Sequence, residues 1–192
     1  VVNIIIGKVK YDLNRLSTDK RYLTTCIEVR RKKGGISELP VIVTQTHPLL
    51  KAGYRIKSDC SCISIYTYSR GVTPYLFLTD IVAAPSMDVD TATLHTIGKV
   101  VSIGKKHTTP YGICLPFSIK SSNNFVYCKA YGERCNELAQ TKAGSTLEVL
   151  GLLYPRAFEK NLQKRNTIEL SVIQAVVTDH EHGTPHITIL KE

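Results

Sequence analysis

The 192-residue sequence has no tryptophan and a single methionine, and its 12 glycines and 8 prolines are too few for a collagenous or low-complexity chain. It holds no apolar run of 18 residues, which excludes a spanning helix. No charged-then-apolar leader opens it; the first residue is Val, so a trimmed start is expected in preference to a signal peptide, and a cytosolic setting with it. None of Cys26, Cys60, Cys62, Cys114, Cys128 and Cys135 forms a CxxC pair. Several sit in strand-like runs, where a free thiol behaves as a small buried apolar group, so reduced core cysteines are expected over a zinc site or a disulfide frame. Acids are outnumbered 16 to 25 by Lys and Arg, a net charge of +9 that divides into +5 up to residue 91 and +4 after it. An excess spread so evenly suits a polyanionic partner better than a basic tail would.

What the sequence does contain is an internal repeat. Ile6-Gly7-Lys8-Val9 returns as Ile97-Gly98-Lys99-Val100, and Lys51-Ala52-Gly53 returns as Lys142-Ala143-Gly144, both 91 residues on. Leu76-Phe77-Leu78-Thr79 has a counterpart near Ile168-Glu169-Leu170-Ser171, and Tyr-x-Arg occurs at Tyr68 to Arg70 and again at Tyr154 to Arg156. Two copies of a unit of about 85 residues follow. The expected boundaries are 1–84 and 94–178, with a linker at 85–93 rich in Pro and acids, and a polar tail at 179–192.

In the second copy, Leu94 to Ile103 reads as a strand, Thr109-Pro110-Tyr111-Gly112 as a turn and Ile113 to Lys120 as a second strand. After the hairpin signal Asn123-Asn124 come a third strand, Phe125 to Tyr131, and helix formers from Glu133 to Gln140 that end at Gly144. Thr146 to Tyr154 and Thr167 to Val177 complete five strands; in the last, Ile168, Leu170 and Val172 share one face. The first copy follows the same order, its helix cut to about one turn around His47-Pro48-Leu49-Leu50. Three strands, a short helix between strands three and four, and two more strands is the order of an OB-fold, so the expected class is all-β with two tandem five-stranded Greek-key barrels.

These motifs resemble the bacterial single-stranded DNA-binding protein family. Gly98-Lys99-Val100 is similar to the family's opening strand, Tyr127 to Gly132 to its third strand, and Cys135 to Ala139 to its helix. Lys142 to Ser145 is similar to its lysine-glycine turn, and Leu147 to Leu153 to its fourth strand. The first copy matches through Gly7-Lys8-Val9, Gly53 and the closing strand. The resemblance implies base stacking at Phe125 and Tyr131, where the family usually places Trp. It also implies four barrels per particle, hence a homodimer of this two-barrel chain, acting on single-stranded DNA in replication, recombination or repair at the nucleoid. The family's acidic C-terminal tip, which recruits replication and repair proteins, has no counterpart here.

A sequence-tolerant single-strand binder needs cations along the phosphates and aromatic rings under the bases. Period-two geometry puts Phe125, Tyr127, Lys129 and Tyr131 outward and Val126, Cys128 and Ala130 inward. The alternative is that Phe125 and Tyr131 pack beneath a loop or an interface, Lys129 then needing a partner. Arg30, Arg31, Lys32 and Lys33 before Gly34-Gly35 describe a charged hairpin that either reaches over a strand or stands solvated to discourage edge pairing. Tyr66 and Tyr68 with Arg70, and Tyr154, Arg156 and Phe158 in a long loop before the last strand, complete the candidate DNA-binding set. Ile36 to Thr44 offers Glu38 and Pro40 and no aromatic, so the barrels are expected to be unequal, with Pro40 marking an edge or bulge. No catalytic, cofactor or metal-ligand pattern stands out, and His180, His182 and His186 read as polar tail. The competing class is a protein-interaction module of a primosome-like or other replication complex, with an OB-type nuclease behind it.

Overall fold

The computed structural model describes the backbone of residues 3–67, 71–160, 163–178 and 188–189, and the side chains of these apart from 67, 158–160, 163–166 and 188–189. The first half of the chain forms β1 (Ile4–Val9), β2 (Asn14–Arg15), β3 (Leu23–Arg30), β4 (Ile36–Val43), β5 (Arg55–Thr67) and β6 (Gly71–Ala83). The second half forms β7 (Thr91–Ile103), β8 (His107–Thr109), β9 (Gly112–Ser121), β10 (Asn124–Tyr131), α1 (Arg134–Ala139), β11 (Thr146–Lys160), β12 (Gln163–Val177) and β13 (Thr188–Ile189). Alternation makes these strands: in β3 Thr25, Ile27 and Val29 are buried while Cys26 and Glu28 between them are not.

The pairings close two rings. In the first, β1 joins β3, β3 joins β4, β4 runs parallel to β6, and β6 returns through β5 to β1. In the second, β7, β9, β10, β12 and β11 repeat that circuit, with β10 and β12 as the parallel pair. This is the OB-fold connectivity. The rings are joined edge to edge where Ile4, Ile5 and Ile6 pair with Thr93, Ala92 and Thr91. One apolar cluster runs through both, from Ile5, Ile27 and Leu39 to Leu94, Val149 and Leu170. Each fully buried Leu or Ile in it contributes about 1.5–3 kcal/mol.

The repeat has a mechanical cause. A Cβ at Gly7 would collide with the Glu28 carbonyl, and one at Gly98 would lie 2.8 Å from the Lys120 carbonyl oxygen. Both glycines sit where the first strand of a ring crosses the second, a closure that needs backbone against backbone. Gly53 and Gly144 have φ of +90° and +91°. Their N–H groups donate to the Val9 and Val100 carbonyls, each at 2.8 Å, and so dock the turn before the fourth strand of a ring onto its first.

Three expectations change in detail. The closing strands align two residues further on than the sequence suggested, because the parallel registers Val41↔Leu76 and Cys128↔Leu170 make Leu76 the counterpart of Leu170. The expected loop after Tyr154 is instead a strand pair: β11 and β12 stay paired to Lys160↔Gln163 by backbone bonding. In the first ring, His47 to Leu50 forms a turn closed by the Leu50 N–H on the His47 carbonyl at 3.0 Å, without a helix. The edge expected at Pro40 is there: it lies in the part of β4 that pairs with β3 alone, and from Val41 the strand is paired on both sides, which fits a proline that cannot donate.

The segment between the rings is tied down. Asp90 accepts from Arg55 at 2.5 Å and from the Arg30 backbone N–H at 3.1 Å, and Asp88 faces Lys57 at 3.4 Å. All six cysteines are free, and Cys60, Cys114, Cys128 and Cys135 are buried. Burial pushes the Cys60 thiol up to about 12, which holds it in the neutral form suited to a core. Among the described residues no helix is long and apolar enough to cross a membrane.

Candidate nucleic-acid interface

Strand β10 has the parity its sequence predicts: Val126, Cys128 and Ala130 are 3%, 2% and 0% exposed, while Phe125, Tyr127, Lys129 and Tyr131 on the other face are half-buried. Around that outer face the fold gathers cations onto rings. The Arg156 guanidinium lies 4.2 Å from the centroid of Tyr127, and Arg31 lies 4.1 Å from that of Tyr154. Lys120, on the neighbouring strand β9, stands 5.6 Å from Phe125. Each is within the range where a cation is held by the ring quadrupole. Lys129 is paired with Glu169 at 2.9 Å. The phenol of Tyr131 is pushed up to about 12, chiefly by burial, and hydrogen-bonds Cys114.

The surroundings differ along the strand. At its beginning β5 of the first ring lies close: the Phe125 N–H donates to Ser64 Oγ at 2.7 Å and the Ser64 N–H donates to Asn124 Oδ1 at 3.0 Å. Thr167, opposite Arg156 on β12, is fully buried and donates to the Pro74 carbonyl at 3.1 Å. Phe125 therefore stands at the seam between the rings, and Tyr131 at the far end of the strand.

The basic hairpin is real, closed between Arg31 and Gly35 with Gly34 and Gly35 at φ of +87° and +83°. Its four cations do not act alike. Arg30, Lys32 and Lys33 are exposed. Arg31 turns back, donates to Ser37 Oγ at 2.8 Å and to the Leu153 carbonyl, and covers Tyr154 of the second ring. Tyr66 is 65% exposed at the end of β5. Tyr68 and Arg70 lie outside the described residues, as does the side chain of Phe158, whose backbone pairs with Arg165.

Sequence reasoning passed over three residues. Lys120 became visible only through its register opposite Phe125, and Glu169 only through the parallel pairing of β10 with β12. Tyr111, read as turn chemistry alone, is 86% exposed in the turn between β8 and β9; Lys105 and Lys106 before β8, and His107 at its start, are exposed too. The Thr-Pro-Tyr-Gly turn already carried that signal.

In the first ring the matching face is closed. Ile42 is buried there with Leu16 and Ile65, and Tyr22, Ile63, Tyr75 and Phe77 pack around them, so the segment after β2 folds over the place that β10 leaves half-open.

No family model and no curated protein matches the sequence. Among solved structures, the chain is similar to a deletion variant of the single-stranded DNA-binding protein from Thermus aquaticus, at TM-score 0.66 and 14% identity over 95% of this chain and 96% of that one. The wild-type Thermus aquaticus protein gives TM-score 0.66 and 12% identity over 94% of each chain. The likeness is one of fold. It spans both rings, so the paired-barrel architecture as a whole is shared with a protein described as binding single-stranded DNA.

Proposed function

We propose that the chain binds single-stranded DNA with little sequence preference, its strand crossing the outer face of β10 and the neighbouring ends of β11 and β12. The observation that carries this reading is the alternation of rings and cations there, with Arg156 on Tyr127, Arg31 on Tyr154 and Lys120 beside Phe125. Stacking on rings is indifferent to base identity, and cations meet the phosphates whatever the sequence. The Thermus aquaticus neighbours, which share the two-ring fold, support the same ligand class. The exposed Arg30, Lys32 and Lys33 extend the charged path from the first ring, and Tyr66, Tyr68, Arg70 and Phe158 belong to the same proposal. A homodimer presenting four barrels, working at the nucleoid in replication, recombination or repair, is the expected setting.

Titration with oligothymidines of increasing length, followed by tyrosine fluorescence, tests the reading. Log affinity should fall linearly with log salt, by roughly 0.7 for each phosphate contact on a single strand. Sedimentation of the free protein should give about twice the 21.4 kDa chain mass. An absence of binding at low salt would overturn the proposal and leave the barrels as assembly surfaces.

A further inference from the structure

Lys129 is the one cation on the outer face of β10, and Glu169 on β12 holds it: Nζ and Oε1 are 2.9 Å apart, with side chains 32% and 12% exposed. A carboxylate set among Arg156, Lys129 and the ring of Tyr154, its cross-strand neighbour, opposes what a phosphate-binding face requires. Stability does not explain it. Replacing a half-buried ion pair by packed apolar groups is often neutral or favourable, because both charges lose water on burial. The chain itself makes that replacement in its first ring. The registers Val41↔Leu76 and Cys128↔Leu170 superpose the two parallel pairs, and put Ile42 and Tyr75 of the first ring where the second has Lys129 and Glu169. Ile42 and Tyr75 pack in an apolar cluster, so the connectivity closes without any charge at this place.

We infer that Glu169 is an affinity brake on the strand-binding face: its carboxylate occupies Lys129 in the free protein, and a phosphate oxygen must displace it to bind. The ammonium is a compact point charge, and carboxylate and phosphate compete for it as alternative anions. The inference rests on the strand-binding reading above. It makes Glu169 a positioning residue that weakens binding, so that a bound strand remains easier to release than the local cation count implies.

The test is Glu169→Gln in the full chain, which keeps the shape and removes the charge, titrated with an oligothymidine over a range of salt. Affinity at low salt should rise about three- to fivefold, the size expected for freeing one partly exposed charge. The slope of log affinity against log salt should steepen by about 0.7, one further phosphate contact. Adding Lys129→Gln to Glu169→Gln should remove both gains. Glu169→Tyr, which carries the first ring's residue at this place, gives the same reading if the glutamine variant melts early. A merely structural carboxylate would change the melting temperature and leave the slope alone. Wild-type binding with an unchanged or weaker Glu169→Gln, at unchanged slope, overturns the brake alone; a wild-type chain that does not bind overturns the strand-binding reading and the brake with it.

Discussion

Val126→Asp is expected to unfold the second ring, whereas Tyr127→Ala, one residue along the same strand, should leave the fold standing and remove roughly 1–3 kcal/mol of single-strand binding. The contrast follows from which face of β10 each side chain joins. Val126 is 3% exposed within the continuous core, so an aspartate there would be an unpaired carboxylate in apolar surroundings, at an effective cost of several kcal/mol. That cost rivals the 5–15 kcal/mol by which folded domains are stable. Tyr127 faces the other way, beneath Arg156, so removing its ring opens no hole in the core and, on the strand-binding proposal, takes away one stacking surface. Thermal melts followed by circular dichroism, paired with oligothymidine titration of the folded fraction, separate the two effects. Should Tyr127→Ala melt the protein while binding per folded molecule survives, the ring is packing and the platform lies elsewhere, with the exposed Tyr111 the next place to look.

The parity of β10 was legible because period two is a property of one strand, carried by seven consecutive residues. The duplication was legible for a different reason. Closure of a ring demands glycine at Gly7 and Gly98 and a left-handed turn at Gly53 and Gly144, so those short motifs persist while the side chains around them diverge. What stayed hidden depends on pairing between distant segments. Glu169 meets Lys129 across 40 residues and a parallel register, and no local pattern announces it. The outer part of the β11–β12 hairpin was read as a loop, because its pairing is a matter of register between two segments and no local pattern shows it. That the two rings are unequal was expected from a third strand with Glu38 and Pro40 and no aromatic. That Leu16 and Tyr22 would fold over Ile42 and fill the place was not, since they lie beyond the five-strand pattern.

The run Arg30-Arg31-Lys32-Lys33 looked uniform for the same reason, and the structure divides it. Arg31→Ala is expected to act on stability: it removes a charged hydrogen bond to the Leu153 carbonyl, a second to Ser37 Oγ and the cover over Tyr154, all of which tie the first ring's hairpin down or onto the second ring. A hydrogen bond from a charged donor contributes about 1.5–3 kcal/mol. Part of that is offset because Arg31 keeps some contact with water, so a loss of about 2 kcal/mol is expected, or roughly 4–8 °C in a chain of this length. Replacing Lys32 and Lys33 together by Ala should do the opposite. Both are exposed, so the melt should hardly move, while the salt dependence of oligothymidine binding flattens by about 1.4 as two phosphate contacts go. The decisive comparison is the pair of readouts taken on both variants. If Arg31→Ala flattens the salt slope as the lysine variant does and leaves the melt untouched, Arg31 releases Tyr154 on binding and the whole hairpin is a finger over the strand. If the lysine variant leaves the slope unchanged, Lys32 and Lys33 form no finger over the strand, and what remains is Arg31 holding the hairpin against the second ring.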